Sequence, residues 1–181
     1  MEYATQPKLY ASDAAVDDWF GVSVSLYGNT ALIGARGDDD NVISNSGSVY
    51  VFTRSSIDGM FTQQSKLYAN DVAADDRFGD SVSLYGDTAL IGALHDDDNS
   101  KKNSGTVYLF TRSSVDGTFT QQSKLHASDA AVWDGFGRSI SLYGDTALIG
   151  ATGDSDNGKP ASGSVYVFTR SSTDGIFSEQ S

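Results

Sequence analysis

The sequence repeats itself at a fixed interval of 58 residues. Phe20-Gly21 recurs as Phe78-Gly79 and as Phe136-Gly137, and the longer motif Leu32 to Ala35 recurs at the same spacing. A period that is held without insertion or deletion indicates one supersecondary unit that is stacked several times. The expected divisions of the chain are residues 8–65, 66–123 and 124–181, preceded by residues 1–7.

Each unit carries the pattern of four short strands. In the first unit apolar residues alternate with small ones from Phe20 to Leu26, which is typical of a strand with two different faces. The pairs Gly28-Asn29 and Asp58-Gly59 are turn signals of the kind that hairpins prefer. No stretch repeats apolar residues at the helical spacing of 3.6 residues. The four predicted strands of the first unit are A, residues 20–26; B, residues 30–35; C, residues 48–53; and D, about residues 60–68.

Predicted strands B and C are apolar on both faces, so each needs a neighbouring layer on each side. Four antiparallel strands per unit, stacked face to face with sister units, describe the blades of a β-propeller. The small residues Ser23, Ser25 and Gly34 would permit the blades to approach closely. We therefore predict an all-β fold of three four-stranded antiparallel repeats. A β-sandwich is the alternative, but its strands would not recur with one fixed period.

Closed propellers have about four to eight blades. Three blades thus form an incomplete ring unless oligomerisation or further repeats complete it. Residues 1–7 resemble the start of a D strand, and we expect them to be a partial outer strand of a preceding blade. Self-association is the expected partnership, either as a ring-closing dimer or as a head-to-tail assembly.

The repeated residues resemble the FG-GAP repeat of integrin α-chain propellers and related surface proteins. The resemblance implies a β-propeller, usually extracellular or at the cell surface, that serves in adhesion or ligand binding and often binds calcium. The matching pairs are Phe20-Gly21, Phe78-Gly79 and Phe136-Gly137 for Phe-Gly, and Gly34-Ala35, Gly92-Ala93 and Gly150-Ala151 for Gly-Ala.

The chain departs from the family pattern at two places. The proline of the Gly-Ala-Pro motif is replaced by Arg36, Leu94 and Thr152. The family's calcium loop between strands A and B is missing, because that link is only Tyr27 to Thr30 here and is too short to wrap an ion. The family's calcium ligands therefore cannot be transferred to this chain.

Composition excludes several classes of function. The chain has 24 acidic and 12 basic residues and a net charge of -12, which argues against binding to nucleic acid. It has no cysteine, which excludes disulfides, thiolate zinc sites and a cysteine nucleophile. No apolar run approaches the roughly 20 residues of a membrane helix, so membrane insertion is not expected. The segment Met1 to Gln6 lacks the pattern of a signal peptide.

The acidic residues concentrate in particular loops. Of the 24 acids, 22 are aspartates. In an up-and-down blade, the B–C loops and the D–A connections lie on the same side, and each set carries eight of these aspartates. Such a face has a negative potential that attracts cations or basic partners.

Calcium binding is the more specific interpretation of these loops, because calcium accepts carboxylate, amide and carbonyl oxygens in irregular geometry. The alternative is a solvated turn whose aspartates cap backbone amides. Asp13 or Asp18 of the neighbouring D–A connection could add a ligand. The candidate metal ligands are Asp38, Asp40, Asn41, Asp96, Asp98, Asn99, Asp154, Asp156 and Asn157.

Other motifs give little support for catalysis. His95 and His126 each occur in one copy only, and no Gly-x-Ser-x-Gly nucleophile elbow is present. Arg36-Gly37-Asp38 spells a tripeptide that integrins recognise, but the other two copies differ, which indicates an accidental match. Trp19 and Trp133 lie in D–A connections, where exposed rings could contact a ligand.

We expect a non-enzymatic, extracellular binding, adhesion or scaffold module that presents acidic loops on one face. Its partner would be a second copy, another extracellular protein or a glycan. A structural subunit of a polymer or filament is the alternative. An enzyme with a site in a propeller channel is the least favoured interpretation.

Overall fold

The structure is a computed structural model that describes residues 8–39, 42–97 and 100–180. Within these ranges the chain forms β-strands joined by turns and short 3-10 segments, among them the 3-10 helix Asp156–Gly158. The strands are β1 (Ser23–Tyr27), β2 (Thr30–Ala35), β3 (Ser48–Arg54), β4 (Phe61–Leu67), β5 (Phe78–Tyr85), β6 (Thr88–Ala93), β7 (Thr106–Arg112), β8 (Phe119–Leu125), β9 (Phe136–Tyr143), β10 (Thr146–Ala151), β11 (Ser164–Arg170) and β12 (Phe177–Glu179).

The strands form three antiparallel sheets, each of four consecutive strands. We call them blade 1 (β1–β4), blade 2 (β5–β8) and blade 3 (β9–β12). Each blade is an up-and-down meander, because every strand pairs with its neighbours in the chain. This arrangement confirms the predicted all-β fold of four-stranded antiparallel repeats. The expectation for residues 1–7 lies outside the described residues.

The first strand differs between blades. In blades 2 and 3 it begins at Phe78 and Phe136, whereas in blade 1 it begins at Ser23 and the segment 20–22 forms a turn. The reason is the neighbouring blade. The backbone N–H of Phe78 donates to the carbonyl of Ser46 in blade 1 at 2.9 Å, and nothing described precedes blade 1 to pair with Phe20 in this way. The prediction of a strand over residues 20–26 was therefore too long for blade 1.

The hydrophobic core lies between the blades. One cluster joins Leu32 and Val49 of blade 1 to Val82, Leu84 and further residues of blade 2. A second cluster crosses the junction of blades 2 and 3 in the same way. Each blade therefore buries its broad face against the next one, and burial of this apolar area is the main stabilising term of the array.

Small residues permit this close packing, as predicted. A side chain at Gly34 would overlap the carbonyl oxygen of Gly79 on the next blade. The hydroxyl of Ser23 donates to that same carbonyl at 2.7 Å, and the hydroxyl of Ser25 accepts from the backbone N–H of Leu84 at 3.0 Å. The junction of blades 2 and 3 repeats both bonds through Ser81 and Ser83.

Candidate acidic binding face

The acidic connections of neighbouring blades are joined into one continuous face. The D–A connection before blade 2 is bound to the B–C loop of blade 1, because the N–H of Asp75 donates to the carbonyl of Ser44 at 2.9 Å. At the junction of blades 2 and 3, the N–H of Trp133 donates to the carbonyl of Lys102 at 2.9 Å. We call this surface the acidic face.

In blade 1, two aspartates meet a tyrosine and a lysine. Tyr50 on β3 and Lys66 on β4 are directly paired across the two strands, so their side chains lie side by side. Asp13 comes from the D–A connection, and Asp38 opens the B–C loop. The ammonium of Lys66 lies 2.9 Å from Asp13 and 2.6 Å from Asp38, and the Tyr50 hydroxyl lies 2.8 Å from each carboxylate. We call this group an Asp–Tyr–Lys cluster.

Blade 2 repeats the cluster with Asp71, Asp96, Tyr108 and Lys124. The Tyr108 hydroxyl lies 2.7 Å from Asp96 and 3.2 Å from Asp71. Lys124 is in ion-pair contact with both carboxylates.

Blade 3 holds only part of the cluster. The Tyr166 hydroxyl lies 2.8 Å from Asp129 and 3.4 Å from Asp154. In the described part of the chain, no lysine ammonium reaches these two carboxylates.

Burial and neighbouring charges shift the pKa values of the tyrosines and lysines in the clusters. Burial and the facing carboxylates raise the pKa values of Tyr50, Tyr108 and Tyr166 above that of an ordinary tyrosine. Burial lowers the pKa of Lys66, but its bonds to Asp38 and Asp13 outweigh burial and leave the pKa raised. The tyrosines thus stay neutral and the lysine stays charged at physiological pH.

A second set of aspartates caps the D–A connections. Asp18, Asp76 and Asp134 are buried, and each accepts the backbone N–H of the residue three positions earlier at 2.5–2.7 Å. Burial and the negative charges of Asp96 and Asp71 raise the pKa of Asp76 to about 6, against the opposing bond from the backbone. The pKa of this carboxyl therefore lies well above that of an ordinary aspartate.

A cavity of about 550 Å³ opens on the acidic face at blade 2. Lys102, Lys124 and His95 also line this cavity. Burial and the positive charge of Arg77 lower the pKa of the His95 imidazole. The cavity is therefore negative but not purely acidic. Its acidic lining consists of Asp71, Asp75, Asp76, Asp96 and Asp97.

The structure brings only some of the predicted metal ligands into the clusters. Asp38, Asp96 and Asp154 are the loop acids that bond to tyrosine, while Asp156 opens the 3-10 helix. Among the described residues, no group of three or more acidic or histidine side chains is arranged to hold a metal. Calcium binding stays a prediction. Asp40, Asn41, Asp98, Asn99 and the side chain of Asn157 lie outside the described part of the chain.

Sequence reasoning missed the roles of the tyrosine and the lysine. The signal was present, because both recur every 58 residues and stand opposite each other in the predicted C–D hairpin. Of the two suggested extra ligands, Asp13 joins the cluster, whereas Asp18 caps the N–H of Ala15.

The integrin-type tripeptide is not presented to solvent. Asp38 is buried in its cluster, and the guanidinium of Arg36 binds Asp80 on blade 2 at 2.8 Å. Arg138 of blade 3 binds the same carboxylate at 2.7 Å, so Asp80 links all three blades. The tripeptide is therefore part of the inter-blade contacts.

The two tryptophans are exposed, as a ligand-contacting role requires. The guanidinium of Arg36 lies 4.7 Å from the ring centroid of Trp19, and the ammonium of Lys102 lies 5.5 Å from that of Trp133. These cation–π contacts hold the rings on the acidic face.

Four-stranded blades packed face to face define a propeller-like, all-β repeat protein. The family model described as FG-GAP repeat matches the chain three times, over residues 3–52, 61–110 and 119–168. The chain belongs to the FG-GAP repeat family, which confirms the expected resemblance. The family is typically non-enzymatic.

Comparison with solved structures supports the same fold. The crystal structure of Saccharomyces cerevisiae Sqt1 is similar with a TM-score of 0.51 and 15% sequence identity. The match covers 91% of this chain and 35% of that chain, so this chain spans about a third of the length of Sqt1. At this identity the likeness shows the fold alone. No curated protein matches the chain.

The described residues include no helix with the length and apolar character needed to cross a membrane.

Proposed function

We propose that the protein is a non-enzymatic, extracellular binding and scaffold module whose acidic face engages a basic partner. The observation that carries the proposal is the cavity at blade 2, where five aspartates converge beside two lysines. A negative surface of this kind concentrates cationic ligands and speeds their association.

The clusters make this face stiff. Their lysines neutralise part of the charge, and their bonds fix the connections to β3 and β4. Other aspartates stay exposed around the clusters, including Asp75 and Asp97 at the cavity. Asp75 accepts from the side chain of Asn45, and Asp97 accepts the N–H of Asn103, so both carboxylates are held in place for a ligand. Preorganised charge loses less entropy on binding than mobile charge.

The test uses a basic peptide, oligolysine, as the probe. The double substitution Asp75→Asn and Asp97→Asn should weaken binding about tenfold at low salt, since two charges leave the cavity. The matched control is Asp58→Asn with Asp116→Asn, which removes the same charge from the C–D turns on the other side of the blades. Equal weakening by both pairs, measured by titration calorimetry, would show that only net charge matters and would reject the proposal.

Calcium is proposed as a ligand of the same face, through the B–C loop residues that begin with Asp38, Asp96 and Asp154. Carboxylates and amides supply the oxygens that it prefers. Millimolar calcium should raise the melting temperature of the protein, and EGTA should reverse the rise. The absence of any shift in a calorimetric scan would end this part of the proposal.

A structural subunit of a larger assembly is the second candidate. The observation that favours it is the exposure of apolar side chains on the outer faces of blades 1 and 3, including Val24 and Val165. Exposed apolar faces of this kind favour association.

A further inference from the structure

The broad faces at the two ends of the blade array are apolar and exposed. On blade 1, Val24 is 69% exposed and Leu26 is also exposed. On blade 3, Val165 is 65% exposed, and Leu148 and Val167 are exposed beside it. Side chains of this size on the face of a sheet are normally covered by another layer.

The same positions are buried inside the array. Val82 is the residue that corresponds to Val24, and it is only 8% exposed because it packs against blade 1. Val49 and Val107, which correspond to Val165, are fully buried against blades 2 and 3 respectively. The two exposed faces are therefore the two halves of an interface that the chain already forms twice.

We propose that blade 3 of one copy of this chain packs against blade 1 of a second copy, in the arrangement that joins blades 1 and 2. This head-to-tail contact deepens the second candidate function and is independent of the acidic face. Because different surfaces meet, the interface is heterologous, and it either closes into a ring or continues. Two copies would supply six blades, which lies within the range of closed propellers.

Polar groups on the two faces also match. At the internal junctions, Arg112 reaches back to the hydroxyl of Thr30 at 2.7 Å, and Arg170 reaches back to Thr88 at 2.8 Å. The same repeat positions on the open faces are Arg54 of blade 1 and Thr146 of blade 3, both exposed.

The small residues on blade 3 complete this match. Ser139 and Ser141 correspond to the serines that bond across the internal junctions, and both are exposed. In the proposed contact, Ser139 donates to the carbonyl of Gly21 of the second copy, and Ser141 accepts from the N–H of its Leu26. The side-chain bonds of these serines and arginines, which recur at both internal junctions, thus have their partners on the two open faces.

Sedimentation velocity over a range of concentrations tests the contact. The unmodified chain should form dimers or longer assemblies, and Val24→Asp alone or Val167→Asp alone should leave monomers. Mixing these two variants should give a dimer, because each retains the face that the other lacks. The control Val115→Asp, at an exposed valine of a C–D turn, should assemble like the unmodified chain.

Three results would overturn the proposal. They are a monomeric unmodified chain, an assembly that persists in both aspartate variants, and a mixture of those variants that stays monomeric. Circular dichroism and melting temperature show whether each variant is folded. The oligolysine titration, repeated on the Val24→Asp variant, keeps the two proposals apart, since the acidic face should bind equally well in the monomer.

Discussion

Blades 2 and 3 have nearly the same strands but different surroundings. Strands β6 and β10 share one sequence, Thr-Ala-Leu-Ile-Gly-Ala. All six residues of β6 are buried, because blade 2 is covered on both sides. In β10 Thr146 and Leu148 are exposed, and Leu148 is 45% exposed whereas Leu90 is fully buried. The second buried face of a blade is therefore supplied by its neighbour.

The same difference applies to the Asp–Tyr–Lys clusters. Tyr108 of blade 2 is fully buried, whereas Tyr166 of blade 3 is partly exposed. Among the described residues, no lysine contacts the two carboxylates that face Tyr166. Identical residues thus have unequal energetic weight, which substitutions at matched positions can measure. The stability of each variant below should be measured with Val24→Asp also present. This substitution prevents blade 1 of a second copy from covering blade 3.

The largest difference is expected between Leu90→Ala and Leu148→Ala. Leu90 lies in the core between blades 2 and 3, so its truncation leaves a cavity and should cost about 4 kcal/mol. The Leu148 side chain is already about half exposed, so its truncation should cost only about 1 kcal/mol. Urea unfolding of both variants measures the two losses. Equal losses would mean that blade 3 has a covering layer in solution.

Gly92→Ala and Gly150→Ala should differ next. A methyl group at Gly92 would overlap the carbonyl of Gly137 on blade 3, which should cost about 2–3 kcal/mol. At Gly150 the methyl group meets only the side chain of Ser139, which can rotate, and the cost should stay below about 1 kcal/mol. Both glycines contact a serine of their own sheet, so the difference isolates the inter-blade clash. If Gly150→Ala is as damaging as Gly92→Ala, the clash within the sheet dominates.

Tyr108→Phe and Tyr166→Phe compare the clusters. Tyr108 bonds to carboxylates in a buried site, and loss of its hydroxyl should cost about 2 kcal/mol. Tyr166 is more exposed, so water can replace its hydroxyl and the cost should be about 1 kcal/mol or less. Thermal unfolding checks this order. A larger loss at Tyr166 would contradict the view that burial sets the energy of these hydrogen bonds.

Asp76→Asn should give the smallest effect and a characteristic pH dependence. The pKa of Asp76 is raised from 3.8 to about 6 in the folded chain. Its contribution to stability is fully present below pH 3.8 and is lost as the pH rises through about 6. Asparagine keeps the cap and cannot ionise. The pKa shift corresponds to about 3 kcal/mol at pH 7.5, but a neutral amide accepts a weaker hydrogen bond from the N–H of Ala73 than a carboxylate does. The variant should therefore be about 1 kcal/mol more stable than the parent at pH 7.5 and no more stable at pH 4.

Asp116→Asn is the control for this pH profile. Hydrogen bonds from Thr118 lower the pKa of this exposed carboxyl, which is the opposite direction. Its stabilising contribution is therefore present above pH 3.8 and is lost on acidification. The variant should gain no stability at pH 7.5. A gain at pH 7.5 for both variants would point to relief of net negative charge, and the local burial of Asp76 would not be the cause.

Much of the fold could be predicted from the sequence, because each strand is specified locally. The alternation of apolar residues, the turn pairs and the 58-residue period predicted four strands per unit, and β2 agrees with its predicted bounds. Strand A of blade 1 is shorter than predicted because its extension depends on a neighbouring blade. In blade 2 the strand begins at Phe78, whose N–H bonds to Ser46 of blade 1, and no described residue gives Phe20 such a bond. Such a bond has no counterpart in the pattern of a single unit.

The candidate site was only partly predictable. The pattern placed the aspartates on one face, because loop positions follow from strand order. It did not show that Asp38 would be held by Tyr50 and Lys66, since that depends on the cross-strand pairing of β3 and β4. Nor did it show the link from Arg36 to Asp80, which joins residues that differ between copies.

By itself, the sequence determined the strand pattern, the number of repeats and the concentration of acids in the connections, because these depend on residues that are near one another in the chain. Only the tertiary structure decided which faces are buried, which aspartates are neutralised and which apolar side chains stay exposed. Burial and electrostatic energies depend on what lies within a few ångströms in space, and for each blade that environment is set by its neighbours.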